Sequence, residues 1–219
     1  MIGKIEEEVN AIFFPLVISV HSIEDEIQFS GCGVQFRLSD KKMYIDSLSR
    51  CEPFSGTDLL ERILAFAKIK GVTSIELDDF SYMKWCDFET SLAHFEIFVS
   101  GISWYNRFGF KSVNHERDVA RNAKVREQLF DKIVDPFLLN EFKTNFPDIA
   151  TDRKVKDVFQ DIKRLDRDLG IEKCDTIENI LSFFYFKIQY DNKLTRTGGK
   201  RKTRKRCKRV HRHMKSRSR

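Results

Sequence analysis

The chain has 219 residues, with five cysteines, 20 phenylalanines, four prolines, ten glycines and a formal net charge of +6. That composition excludes a collagen-like or wholly disordered chain, and the length admits one or two domains with a real core. The charge is uneven: residues 193–219 hold 14 Lys and Arg and no acid, whereas residues 1–192 hold 25 basic against 33 acidic residues, a net of −8.

No apolar run approaches the ~18–20 residues that a membrane span needs. The start, Met1 to Glu8, lacks the apolar stretch of a secretory leader. Cysteines 32, 51, 86, 174 and 207 are odd in number and scattered, with no C-x-x-C pair. No zinc site is therefore expected. The reading is of reduced, mostly buried thiols in an intracellular protein.

A short helical start opens the chain, and residues 13–20 read as a strand despite Pro15 and Ser19. Residues 27–29, 34–38 and 43–45 alternate apolar and polar, as half-buried strands do. Ser30–Gly33 and Ser39–Lys42 supply turns, so an antiparallel meander is expected. The period then changes. Leu59, Leu60, Ile63, Leu64 and Ala67 line one helix face. Thr57 or Asp58 is the expected cap, Asp58 and Glu61 resemble a capping box, and Gly71 ends the helix. Residues 72–77 read as the next strand, and strand–helix–strand order predicts a parallel pair with a right-handed crossover. Within residues 78–100, Leu92, Phe95, Ile97, Phe98 and Val99 fit helix or strand, with helix favoured. Residues 102–108 read as a short helix stopped by Gly109.

Residues 112–192 are helical and charged. Val119, Val125, Leu129, Ile133 and Val134 can share a face, and Asp135-Pro136 marks a helix start. Val155, Val158, Phe159, Ile162, Leu165 and Leu169 form a cleaner stripe ended by Gly170. A last helix begins at Asp175 or Thr176 and carries Ile177, Ile180, Leu181, Phe184 and Ile188. Beyond Thr197-Gly198-Gly199 almost every residue is Lys, Arg, His or Ser, so disorder is expected.

Two features bear on chemistry. A strand ends near Arg50, a turn containing Gly56 follows, and a helix opens at Thr57. Helix N-termini offer free N–H groups and partial positive charge to phosphates. Downstream, Tyr105-x-x-x-Gly109-Phe110 places a tyrosine that can protonate a leaving thiolate.

Together, Ile45–Leu48, Ser55–Leu60, Ile75–Leu77 and Trp104–Phe110 resemble the GNAT superfamily of N-acetyltransferases over residues 10–112. The resemblance implies an α/β fold: a GNAT-like mixed sheet flanked by helices (1–112), followed by a helical extension (113–192) and a disordered basic tail (193–219). It implies acetyl-CoA as donor and an amine as acceptor. It gives Ser55, Gly56, Thr57 and Asp58 the pyrophosphate role and Tyr105 the acid role. The acyl arm would enter where the two central strands splay. The loop departs from the family's Gln/Arg-x-x-Gly-x-Gly/Ala pattern. Cys51 and Phe54 stand at its first and middle positions, Pro53 removes a donor, and Glu52 and Asp58 add negative charge. No final strand pair follows Phe110. Glu76, Asp78 and Asp79 are candidate bases, with Glu76 on the strand face opposite Ile75 and Leu77. His94 and His115 have no motif partner.

The basic tail is suited to DNA or RNA by counterion release, through Lys200, Arg201, Lys202, Arg204, Lys205, Arg206, Lys208 and Arg209. It also resembles a nuclear-import signal. The string Gly101–Phe110 and the tail are similar to uncharacterised proteins of large nucleocytoplasmic DNA viruses, which implies a nucleus or virion. The alternative to an enzyme is therefore a catalytically inactive binding or structural protein, held on nucleic acid by its tail.

Overall fold

The alternation in the first third builds a meander, and a computed structural model describes residues 2–166 and 169–197. Helix α1 (Ile2–Phe13) leads into strands β1 (Ser19–Ile23), β2 (Glu26–Gly31), β3 (Val34–Ser39) and β4 (Lys42–Leu48). Each pairs antiparallel with the next. The strand expected from residue 13 begins only at Ser19, because α1 runs through Phe13 and a turn with Pro15 follows.

Helix α2 (Gly56–Ile69) crosses to β5 (Ser74–Asp78), which lies parallel to β4 as expected. The cap of α2 is Ser55, two residues before the expected Thr57, with Asp58 as its capping-box partner. Gly71 takes a left-handed φ of 67° just past the helix, the conformation a glycine relieves. Leu92 to Val99 are helical as favoured, but residues 78–100 are not one helix. They form the hairpin β6 (Tyr82–Trp85) and β7 (Phe88–Ser91), and then helix α3 (Leu92–Ser100). A 3-10 turn (Tyr105–Phe108) ends at Gly109, φ 86°.

Helices α4 (His115–Arg126), α5 (Phe130–Ile133), α6 (Pro136–Asn145), α7 (Val155–Arg164) and α8 (Ile171–Tyr185) follow. Asp135 caps α6 through the N–H groups of Phe137 (2.9 Å) and Leu138 (3.4 Å), with Pro136 in the first turn. The stripe drawn from Val119 to Val134 is broken, since α4 ends at Arg126 and Leu129 is exposed. Helix α7 stops before Leu165, and α8 starts at Ile171 rather than Asp175.

The largest correction concerns the end of the chain. Lys193–Thr197 is a strand, β8, antiparallel to β5, and it completes a sheet of order β1-β2-β3-β4-β5-β8. Lys111 bridges Thr195 on its far side through two 2.9 Å backbone hydrogen bonds. Residues 112–192 are thus inserted between two neighbouring segments of one sheet. Residues 198–219, with the nucleic-acid candidates and Cys207, lie outside the described residues.

Two apolar clusters account for most of the phenylalanines. Phe13, Phe29, Phe36 and Phe66 stack between the sheet and α1/α2, with Phe29 and Phe36 4.5 Å apart. Trp85, Phe98, Phe130, Phe142, Phe159 and Phe184 fill the helical unit. Tyr190 touches both clusters, and buried Glu96 of α3 joins them by pairing with Arg107 beside Tyr105 and with Lys163 of α7 (2.7 Å).

The four cysteines among the described residues are not free thiols. Cys32 is disulfide-bonded to Cys51, and Cys86 to Cys174. The first bond fastens the β2–β3 turn to the loop before α2; the second ties the β6–β7 turn to α8. Scattered spacing hid both, because each partner comes from a different element. No helix among the described residues is long and apolar enough to cross a membrane.

Strand β8 buries Leu194 to 2% exposure and covers β5. A chain ended after Asn192 should lose at least about 3 kcal/mol, from one buried Leu and a ladder of hydrogen bonds. A chain ended after Thr197 should melt like the full protein. Thermal unfolding of both decides it; equal melting temperatures would show that β8 contributes nothing.

Candidate functional site

The parallel ladder between β4 and β5 runs from Lys42–Ser74 to Ile45–Leu77 and stops there, although β4 continues to Leu48. The cause is local. Between Gln35/Phe36 the β3–β4 register shifts: Phe36 faces Ile45 and Gln35 faces Ser47, so Asp46 is the extra residue of a bulge. A bulge bends its strand and sharpens its twist. The end of β4 turns away from β5, and a cleft of about 650 Å³ opens between them.

Three walls complete it. Ser49, Arg50, Gly56 and Thr57 line one end, Phe80, Ser81 and Tyr82 the mouth, and Trp104 and Tyr105 the interior. Gly56 and Thr57 sit where the first free N–H groups of α2 point out of the helix. The other two residues expected to hold phosphate, Ser55 and Asp58, are not in the wall. Asp58 accepts from the Ser55 N–H (2.9 Å) and hydroxyl (2.6 Å), and these bonds hold its carboxyl below the usual range. Its charge is thus turned onto the cap and away from the cleft. Loop N–H groups are also committed, since Cys51 and Phe54 exchange hydrogen bonds of 3.1 and 2.7 Å across Pro53. Arg50, paired with Glu52 and exposed, adds a cation to the rim. A Cβ on Gly56 would meet only the Trp104 ring, at 4.0 Å, so the glycine keeps that wall open rather than serving its own backbone.

Tyr105 is 7% exposed, edge-on to Trp104 (4.7 Å) and Phe110 (5.9 Å). Burial, and then the charge of Asp79, push its hydroxyl well above the ordinary tyrosine range. It therefore stays protonated and parts with its proton reluctantly. The turn that carries it is stapled by Asn106, which accepts from Ser103 N–H (3.0 Å) and donates to the Phe110 carbonyl (2.8 Å).

The three candidate bases separate cleanly. Glu76 is exposed on the sheet face away from Ile75 and Leu77, beside Arg37 and Tyr44. Asp79 is buried and engaged, accepting from Ser81 N–H (3.1 Å), the Ser81 hydroxyl and the Tyr190 hydroxyl. Asp78 accepts from the Tyr44 hydroxyl (2.6 Å) and lines the cleft. Asp78 and Phe80 also line a second cleft of about 510 Å³, walled by residues at the start of α4 and by residues 189–193.

Sequence reading missed the mouth and the second cleft. The Tyr82/Lys84 and Met83/Trp85 alternation was the available signal for the hairpin. Nothing local marks residues 114–118 and 189–193 as neighbours. Among the described residues no group of three or more His, Cys, Asp or Glu is arranged to hold a metal. Comparison with protein-family models, curated proteins and solved structures returns no match.

His94 of α3 stacks on Tyr185 at 4.2 Å, and its Nδ1 lies 2.8 Å from Ser91 Oγ. Burial pushes its pKa down to about 4. An unfolded histidine titrates near 6.5, so between these values the unfolded chain binds a proton that the fold refuses. Stability is full above about pH 6.5 and should fall by about 2–3 kcal/mol as the pH drops toward 4. Denaturant unfolding at about pH 7.5 and about pH 4.5, for this chain and His94→Phe, tests this. The variant should lose most of that part of the pH dependence; identical profiles would contradict it.

Proposed function

We propose that this chain is a GNAT-like acyl-coenzyme A protein, holding acetyl-CoA in the β4/β5 cleft and transferring the acetyl group to an amine. The observation that carries this reading is the splay itself. A bulge at Asp46 opens a cleft with a helix N-terminus at one end and a protonated tyrosine inside. The final strand pair that the family resemblance requires also has a counterpart, Lys111 beside β8, delayed by the inserted helices.

The parts take the following roles. Gly56 and Thr57 present N–H groups to the pyrophosphate, and Arg50 adds charge at the rim. Ser55 and Asp58 hold that helix end rather than touching the ligand. Asp46 to Leu48, freed from β5, leave room and backbone partners for an extended arm. Tyr105 donates to the sulfur as it departs. Asp78, at the joint between the two clefts, takes the proton of the amine. Water is kept from Tyr105 by Trp104 and Phe110.

A second reading is supported by the raised Tyr105 hydroxyl and the committed loop amides. In it the cleft binds without transferring, and the protein is held on DNA or RNA in a nucleus or virion by Lys200–Arg209.

Titrating acetyl-CoA into the full chain at about 0.3 M salt, which weakens polycation–phosphate attraction, separates the readings. The expectation is one saturable site, lost in Gly56→Glu, whose side chain would enter the cleft toward Trp104. Tyr105→Phe should bind as well but transfer about 100-fold more slowly to a small amine. Binding that survives Gly56→Glu would place the coenzyme elsewhere; equal transfer rates would remove Tyr105 from the chemistry.

A further inference from the structure

The second cleft meets the first at Asp78 and Phe80, and its wall ends at Lys193, the first residue of β8. Asp78 and Lys193 are directly paired across the β5–β8 ladder. The strand that leads to the basic segment therefore starts on the rim of the joint between the clefts. Asp78, Asp118 and Asp191 give that cleft three carboxylates. Of its two cations, Arg117 lies 3.6 Å from Asp118. Beyond Thr197 the chain has 22 residues with 12 Lys and Arg and no acid, and five of those are lysines.

We propose that the acceptor amine is this chain's own: the second cleft receives a lysine of residues 198–219, and acetylation removes charge with which that segment holds polyanions. The proposal rests on the coenzyme reading of the first cleft. Reach favours some lysines over others. Strand β8 carries the chain about 14 Å away from the rim, four steps of about 3.4 Å. A returning segment gains at most about 3.3–3.6 Å per residue. Lys200, three residues past Thr197, covers about 10 Å and falls short by its backbone. Lys205, Lys208 and Lys215 return with slack.

The step balances. The lysine ammonium gives a proton to Asp78, and the free Nζ attacks the thioester carbonyl carbon. The C–N bond forms, the C–S bond breaks, and the second Nζ proton leaves to solvent through Asp78. The departing sulfur takes the Tyr105 proton, which solvent replaces. An ammonium and a thioester become an amide, a free thiol and a released proton, and the chain loses one positive charge.

The test uses the full chain with acetyl-CoA, and mass spectrometry to locate acetyl groups. Acetylation should fall on Lys205, Lys208 or Lys215, at a rate independent of protein concentration. It should slow about 100-fold in Tyr105→Phe and Asp78→Asn. Arginine at the three lysines keeps the charge and should abolish the signal. A readout without coenzyme is carbodiimide cross-linking, which should join these lysines to Asp78, Asp118 or Asp191. A rate proportional to concentration, a pattern equal to that of the denatured chain, or absent cross-links would overturn the proposal. Coenzyme held in the cleft beside unmodified lysines would overturn it alone; failure to hold coenzyme would overturn the reading beneath it as well.

Discussion

One extra residue in β4 sets the character of the molecule. Asp46 has no ladder partner in β3, although its carboxylate pairs with Arg37 (2.9 Å), so the strand twists there and leaves β5 after Ile45–Leu77. Past that bulge the parallel pair does not reach Asp78, and the cleft lies along the unpaired end of β4. The surroundings hold the splay in place. Gly33 sits at φ +71°, and a Cβ there would come within 2.5 Å of the Ser49 carbonyl oxygen and 2.8 Å of the Cys51 side chain. The Cys32–Cys51 disulfide fixes the same loop, with Cα atoms 5.7 Å apart. Such a bond typically stabilises by about 2–4 kcal/mol, largely by restricting the unfolded chain. Glycine and disulfide together aim the start of α2 at the space that the bulge opens.

The second dependence is topological. Strand β8 closes the sheet from the far side of residues 112–192, which hold a core of their own, so the two units are joined through one sheet. Arg107, two residues from Tyr105, is anchored on Glu96 in the helical unit, and Asp79 at the end of β5 is held by Tyr190. Asn122 closes the insertion by donating to the Gln189 carbonyl (2.8 Å) and accepting from the Gln189 N–H (2.9 Å). The helical unit thus positions the walls of both clefts. The inserted length explains why a sheet pairing between Lys111 and Thr195 bears on a site built from residues 45–105.

Legibility in the sequence followed locality. The meander, the α2 stripe, the parallel crossover, Asp135-Pro136 and the glycine stops at 71 and 109 were all readable, because each depends on neighbours within a few residues. The β6–β7 hairpin was masked by the apolar run that follows it. Strand β8 was lost inside a charged stretch: Lys193 and Arg196 read as tail, although Leu194 is buried. The disulfides pair residues 19 and 88 positions apart, beyond any spacing rule. Within the site, Gly56, Thr57 and Tyr105 were named and do line one cleft. Ser55 and Asp58 were named for phosphate and proved to be the cap. The difference lies in side-chain direction, which a motif does not carry.

The central claim is that the Asp46 splay makes a ligand cleft. Backbone hydrogen exchange of the full chain, with and without acetyl-CoA, tests it most directly. Binding in the cleft predicts slower exchange at Asp46–Leu48 and at Gly56 and Thr57, while the Phe29–Phe36 core is unchanged. Protection confined to residues 198–219, or none, would contradict the claim.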